Sequence, residues 1–220
     1  MGKGINTSVI AIGALLLFVL GCGTKDPVSY AGTARGDTAA IQAILAANGL
    51  PTTNLNVYSS WRSGRVVNLR VSRQSISALP RLGELTALEY LFIDHNNLSV
   101  LPNEIGNLTE LTYVDASYNV LTSLPVEIGN LNKMTTLNVS FNNITSLPAT
   151  IGDCDTLLVL NLQNNELTTL PLTVMNLAYL DILNIDSNHL GALLPAAIKS
   201  FITDTLNRGF DSAWIATQTP

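Results

Sequence analysis

Charge is scarce in this chain. Of its 220 residues only 12% are charged, with 11 basic against 16 acidic side chains and a formal net charge of −5. A surface that holds nucleic acid needs Lys and Arg clustered toward phosphates, so that class of partner is excluded. Aromatic residues are also few, at 6%, and any core must therefore be built from aliphatic side chains. The two cysteines cannot make a disulfide framework. No Walker-type glycine loop, no nucleophile elbow and no Cys/His spacing suited to zinc occurs. The sequence thus offers no catalytic constellation, no cofactor site and no metal site, and it predicts a protein that is not an enzyme.

What is abundant is apolar. Hydrophobic residues make up 47% of the chain and the mean hydropathy is +0.31, which implies a packed core of single-domain size. The N-terminus is set apart from that core. Lys3 is followed by an almost unbroken apolar run from Val9 to Leu20 and by the small residues Gly21 and Gly23, the architecture of a secretory signal. The run is too short to span a bilayer comfortably. Val19-Leu20-Gly21-Cys22 resembles the bacterial lipobox. That resemblance implies removal of residues 1–21, acylation of Cys22 with chains such as palmitate, and a membrane anchor in the bacterial cell envelope. Gly23 stands where an inner-membrane retention signal would more often have Asp, which favours the outer membrane or cell surface. Residues 22–36 show little apolar periodicity and read as a flexible tether.

Self-alignment gives the strongest signal. From Leu85 the segment LTALEYLFIDHNNLSVLPNEIGN is followed by LTELTYVDASYNVLTSLPVEIGN, LNKMTTLNVSFNNITSLPATIGD, CDTLLVLNLQNNELTTLPLTVMN and LAYLDILNIDSNHLGALLPAAIKS. The first four are 23 residues long and the fifth carries one more residue near Leu193 and Leu194. VVNLRVSRQSISALPRLGE is a degenerate earlier copy, and Pro80, Pro102, Pro125, Pro148, Pro171 and Pro195 mark the period. His95 and His189 sit four periods apart, roughly 19 Å at about 4.8 Å per strand, so they share neither a metal nor a proton. Cys154 falls where other copies have Leu and reads as a small buried apolar group.

This pattern, LxxLxxLxLxxNxLxxLPxxIxxL over residues 66–200, resembles the leucine-rich-repeat family, with about six repeats. The resemblance implies an α/β right-handed solenoid, or horseshoe. Its concave face carries a parallel sheet of short strands, its convex side is irregular or 3-10, and helical caps close both ends. The residues give reasons for each recurring letter. Period-two alternation puts Leu91 and Ile93, Leu137 and Val139, and Leu160 and Leu162 on one face of a strand. Asn96, Asn119, Asn142, Asn165 and Asn188 end the strands, where an amide that both donates and accepts can satisfy turn backbone groups. Gln74 takes that place in the first copy. Proline fixes the extended return path, and Gly106, Gly129 and Gly152 read as turn formers that relax the convex side.

Both ends read as caps. Asp37 is a candidate N-cap for an amphipathic helix over Thr38 to Asn48, with Ile41, Ile44 and Leu45 inward and Gly49 and Pro51 as stops. Residues 37–65 form this N-terminal helical cap, with Trp61 adding bulk. Ala196 to Leu206 reads as a helix, and residues 201–220 as the C-terminal cap, with Phe210, Trp214 and Ile215 closing the apolar end.

The outward strand positions are the functional candidates. Tyr90, Phe92 and Tyr113 cluster with Asp94 and Asp115 toward the N-terminal half, and Asn138, Asn161 and Asn184 continue the surface as either a ligand-facing column or solvent-tolerant filler. Exposed aromatics beside hydrogen-bonding groups mark recognition surfaces. They also suit pleated strands on packing grounds alone. Tyr118 and Phe141 read as turn filler. The expected partner is a protein held on the concave face, with a cell-wall or extracellular polysaccharide, or a structural adhesion role, as the alternative.

Overall fold

Three-residue strands alternate outward, inward, outward, and the inward residue of each is Leu91, Val114, Leu137, Leu160 or Leu183, all 1% exposed or less. The computed structural model describes residues 34–190 and 194–202, and all of them lie in one compact unit. The signal segment, Cys22, the tether as far as residue 33, and Phe210, Trp214 and Ile215 fall outside the described residues.

A helix, α1 (Ala34–Ala47), leads into β1 (Ser59–Arg62) and β2 (Arg65–Arg70). Then come β3 (Tyr90–Phe92), β4 (Tyr113–Asp115), β5 (Thr136–Asn138), β6 (Val159–Asn161), β7 (Ile182–Asn184) and a short helix, α2 (Ala196–Ser200). The strands form one seven-stranded sheet in chain order. β2 to β7 are parallel and in register, Leu69 beside Leu91, Val114, Leu137, Leu160 and Leu183 in turn. Parallel neighbours need a crossover, and each crossover here is an extended stretch followed by a 3-10 turn: Asn103–Asn107, Val126–Asn130, Ala149–Asp153 and Leu172–Asn176. The proline before each turn holds φ at −66° and ψ at 144–148°, the extended setting its ring prefers.

The asparagine ladder joins consecutive coils. Asn142 Nδ2 donates to Val139 O and Ser140 O in its own turn and to Ala116 O one coil back, while its Oδ1 accepts from Leu121 N of that preceding coil. Asn96, Asn119, Asn165 and Asn188 repeat the arrangement, each 8% exposed or less. Gln74 copies one bond only, Nε2 to Ser72 O at 3.3 Å.

The glycines behave differently from the expectation. Gly106, Gly129 and Gly152 are absent from the left-handed region, where Gly49 and Gly64 sit. They are instead points of contact between coils: a Cβ on Gly129 would lie 2.6 Å from Thr150 O, and one on Gly152 2.3 Å from Thr173 O. The next coil's turn seats directly on the missing side chain. In the following coil Met175 occupies the equivalent place, and the element packed there is α2 rather than another 3-10 turn.

The N-terminal end also departs from expectation. The helix begins at Ala34, three residues before Asp37, so Asp37 is no N-cap. It is fully buried and accepts from Arg65 Nε (2.9 Å), Arg65 Nη2 (3.2 Å) and Val66 N (2.8 Å). A buried carboxylate demands such partners, and these tie the helix to the first parallel strand. The helix ends as read: Gly49 takes φ +68°, Gly49 N donates to Ala46 O and Leu50 N to Leu45 O, a Schellman closure. The cap is also more than helical, since β1 pairs antiparallel with β2 and covers the sheet's first edge. At the far end α2 covers Ala196–Ser200, Phe201 and Ile202 continue it as a π turn, and the remainder of the helix expected as far as Leu206 lies outside the described residues.

Leu137→Asp puts a carboxylate at the centre of the stack, where exposure is zero. The expected loss is at least about 4 kcal/mol, seen as a melting temperature lowered by roughly 10 °C or more, or as no cooperative transition. Gly129→Ala should cost about 1–3 kcal/mol through overpacking, and a melt equal to wild type would show that the coils are not seated as described.

Candidate functional site

Outward positions form columns because the register is strict. One runs Asn68, Tyr90, Tyr113, Thr136, Val159, Ile182, and the next Arg70, Phe92, Asp115, Asn138, Asn161, Asn184. The predicted site residues are therefore brought together on one face. Tyr90 is 41% exposed, and Phe92 and Tyr113 are half-buried against each other, centroids 5.0 Å apart at 34°. The Arg70 guanidinium lies 4.4 Å from the Phe92 centroid, within range of a cation–π attraction.

The carboxylates between these rings are held, not mobile. Asp94 takes the Ser72 hydroxyl on Oδ1 and pairs through Oδ2 with His95 Nδ1 at 2.9 Å. Asp115 Oδ1 accepts from Ser117 Oγ (2.6 Å) and Asn138 Nδ2 (3.1 Å). Burial, then Asp115, then Asp94 push the Tyr113 hydroxyl above its ordinary range, so it stays protonated and remains a donor.

The asparagine column has a structural share. Asn138, Asn161 and Asn184 each accept on Oδ1 from the backbone N–H two residues on, at 3.2 Å, the Asx-turn bond that starts the bend. Asn138 and Asn184 also donate, to Asp115 and to Gln163 Oε1.

Tyr118 and Phe141, expected as turn filler, prove to be part of a continuous stack that also takes in His95. His95, Tyr118 and Phe141 stack along the turn that follows the strands, each 4.2 Å from the next and 15° and 8° from parallel. All three hold left-handed φ of 52–54°, and Tyr118 and Phe141 are 43% and 37% exposed. The signal was available: three ring-bearing residues in one column, just before the ladder asparagine, where Asn164 and Ser187 follow. His189 lies on another coil with Glu166 as its neighbour, Nδ1 to Oε2 at 3.2 Å. Among the described residues no group of three His, Cys, Asp or Glu side chains is placed to hold a metal. Cys154 is fully buried, its Sγ 3.3 Å from Ile128 O, and desolvation first, with Asp153 and Asp155 adding to it, pushes the thiol up to about 12, which leaves it no nucleophile.

Coils of this kind, with one sheet face given to the core and the other open, define a repeat solenoid. Family models described as Leucine rich repeat match residues 132–190 and 87–108. The chain carries leucine-rich repeats. Its structure is similar to a leucine-rich-repeat protein of Leptospira interrogans, at 28% identity and a TM-score of 0.51 over 60% of this chain and 40% of that one. It is also similar to the ectodomain of the plant membrane receptor kinase GASSHO1/SCHENGEN3 from Arabidopsis thaliana, solved with CASPARIAN STRIP INTEGRITY FACTOR 2, at 27% identity and a TM-score of 0.55 over 60% and 16% of the two chains. A plant ice-binding protein, at 23% identity, a TM-score of 0.55 and 70% and 64% coverage, shares the fold. The chain thus spans two fifths of the Leptospira protein and about one sixth of the receptor ectodomain. No curated protein matches its sequence.

Proposed function

We propose that this protein is a non-enzymatic binding module of the bacterial cell envelope, anchored by lipid on Cys22, that takes a protein partner on its exposed sheet face. Tyr90, Phe92, Asp94, Tyr113 and Asp115 form the contact patch, with Asn138, Asn161 and Asn184 extending it. The observation that carries this reading is the pre-ordered patch itself. Arg70 rests on Phe92, Phe92 packs on Tyr113, and both carboxylates are already hydrogen-bonded, so little side-chain entropy remains to be lost on binding. The receptor ectodomain solved with its factor is a fold relative in which a complex is formed. A polysaccharide is less well served, because sugars stack on ring faces and those of Phe92 are engaged by Arg70 and Tyr113. The lipobox-like start supports the anchor.

Crosslinking and pull-down from the native envelope should capture a saturable partner that is lost by more than about tenfold when Tyr90, Phe92 and Tyr113 are all replaced by Ala. Equal capture by the triple variant would refute the patch. For the anchor, metabolic labelling with a fatty-acid analogue should mark the wild type and leave Cys22→Ala unlabelled, and equal incorporation would remove the lipid from the account.

A further inference from the structure

Arg62, Arg65, Arg81 and Lys133 each meet a carboxylate. Arg70 and Arg73 do not: Arg70 lies over Phe92 with Nε on Asn68 Oδ1, and Arg73 Nη2 lies 3.3 Å from His95 Nε2. Both are exposed. Each therefore heads an aromatic row. One is Arg70, Phe92, Tyr113 on the sheet face, and the other is Arg73, His95, Tyr118, Phe141 along the turn. Between the rows runs the column Ser72, Asp94, Ser117, Ser140, whose two later serines are buried at 4% and 3% exposure. The two rows thus flank a column of short side chains.

The second row is held against a backbone preference. A bulky side chain in the left-handed region is disfavoured by its Cβ, and Asn164 in the same column shows that a residue suited to that conformation fits the fold. Stacking returns part of the cost and leaves the ring edges to solvent. Those edges carry the positive side of the ring quadrupole. That column is thus bordered by two guanidiniums and by electropositive edges, in a chain whose net charge is −5. Asp94 in that column is engaged by Ser72 and His95, and Asp115 beside Phe92 by Ser117 and Asn138, so the carboxylates of this face already hold hydrogen bonds while the two guanidiniums meet no carboxylate.

Resting on the binding function proposed above, we propose that the two rows form the docking surface for an acidic polypeptide segment, its carboxylates facing Arg70 and Arg73 and its apolar side chains packing along the exposed edges of Tyr118 and Phe141. Planar guanidinium forks match carboxylates, and rigid aromatic rows supply contact area at small entropic cost. Two unpaired guanidiniums are too few for a nucleic-acid backbone.

Fluorescence polarisation of the purified full chain against a labelled decapeptide of alternating Glu and Tyr, with a Lys and Tyr counterpart and an oligonucleotide as controls, tests this. At low salt the acidic peptide should bind at least about tenfold tighter than either control. Arg70→Gln with Arg73→Gln should abolish that preference. Tyr118→Asn with Phe141→Asn, which suits the left-handed backbone, should weaken binding about tenfold with an unchanged melt. Equal affinity for the two peptides, oligonucleotide binding as tight as the acidic peptide, or indifference to both double variants overturns the proposal. A partner captured from the envelope and lost in the Tyr90, Phe92 and Tyr113 variant, together with no charge preference, would sink this inference while leaving the binding patch standing.

Discussion

Every coil of this protein depends on its neighbour to satisfy buried backbone groups, and the ladder asparagine is where that dependence is concentrated. A turn folded back under a strand leaves carbonyls and N–H groups out of reach of water, and leaving one unpaired costs about 1–3 kcal/mol. Asn142 answers four of them at once, across two coils. An amide suits the role because it donates twice and accepts twice within one short side chain. The consequence is strict register. Once the asparagines align, the strand residues Leu91, Val114, Leu137, Leu160 and Leu183 must align as well, and so must every outward residue between them.

That register explains what was legible in the sequence. Inward leucines, the asparagine ladder and the prolines repeat because each coil imposes the same demand, so period alone located the sheet and its outward columns. Asp37 was illegible for the opposite reason. Its partner Arg65 lies 28 residues away and occurs once, and an acidic residue near a helix start reads equally well as a cap. Gly129 was legible as a turn residue and does lie in a 3-10 turn, but its role as a point of contact between coils was not, since a glycine needed for close approach looks in a sequence like any other turn glycine. The β1 strand has no repeat partner and pairs antiparallel with an irregularity between Ser60 and Trp61, which hid it from any periodic reading.

The ends of the array follow from the same contacts. At the start an added antiparallel strand takes up the hydrogen bonds of β2 that no coil precedes, so that the sheet's edge falls on the short, irregular β1 and not on the first repeat strand. At the finish the glycine column gives way to Met175. With a side chain at that place the element packed there is α2, where Gly129 and Gly152 each receive a 3-10 turn in close contact. Termination is thus written into the convex side one coil before it happens.

The surface is what the stacking leaves unconstrained, and its content is therefore informative. In the columns facing solvent the fold asks only for residues that tolerate a strand or, just before each ladder asparagine, a left-handed turn. Asn164 and Ser187 meet the second demand with small polar side chains, while His95, Tyr118 and Phe141 meet it with rings at a conformational disadvantage. Stability alone does not account for that choice, because about 0.5–1.5 kcal/mol per aromatic pair only offsets a penalty of similar size. The rings share one end of the array with Arg70, Arg73, Phe92 and Tyr113, whereas the far end carries Val159, Ile182 and asparagines. A uniform scaffold thus bears a polarised face, and a partner reading it would be fixed in direction along the coils as well as in position.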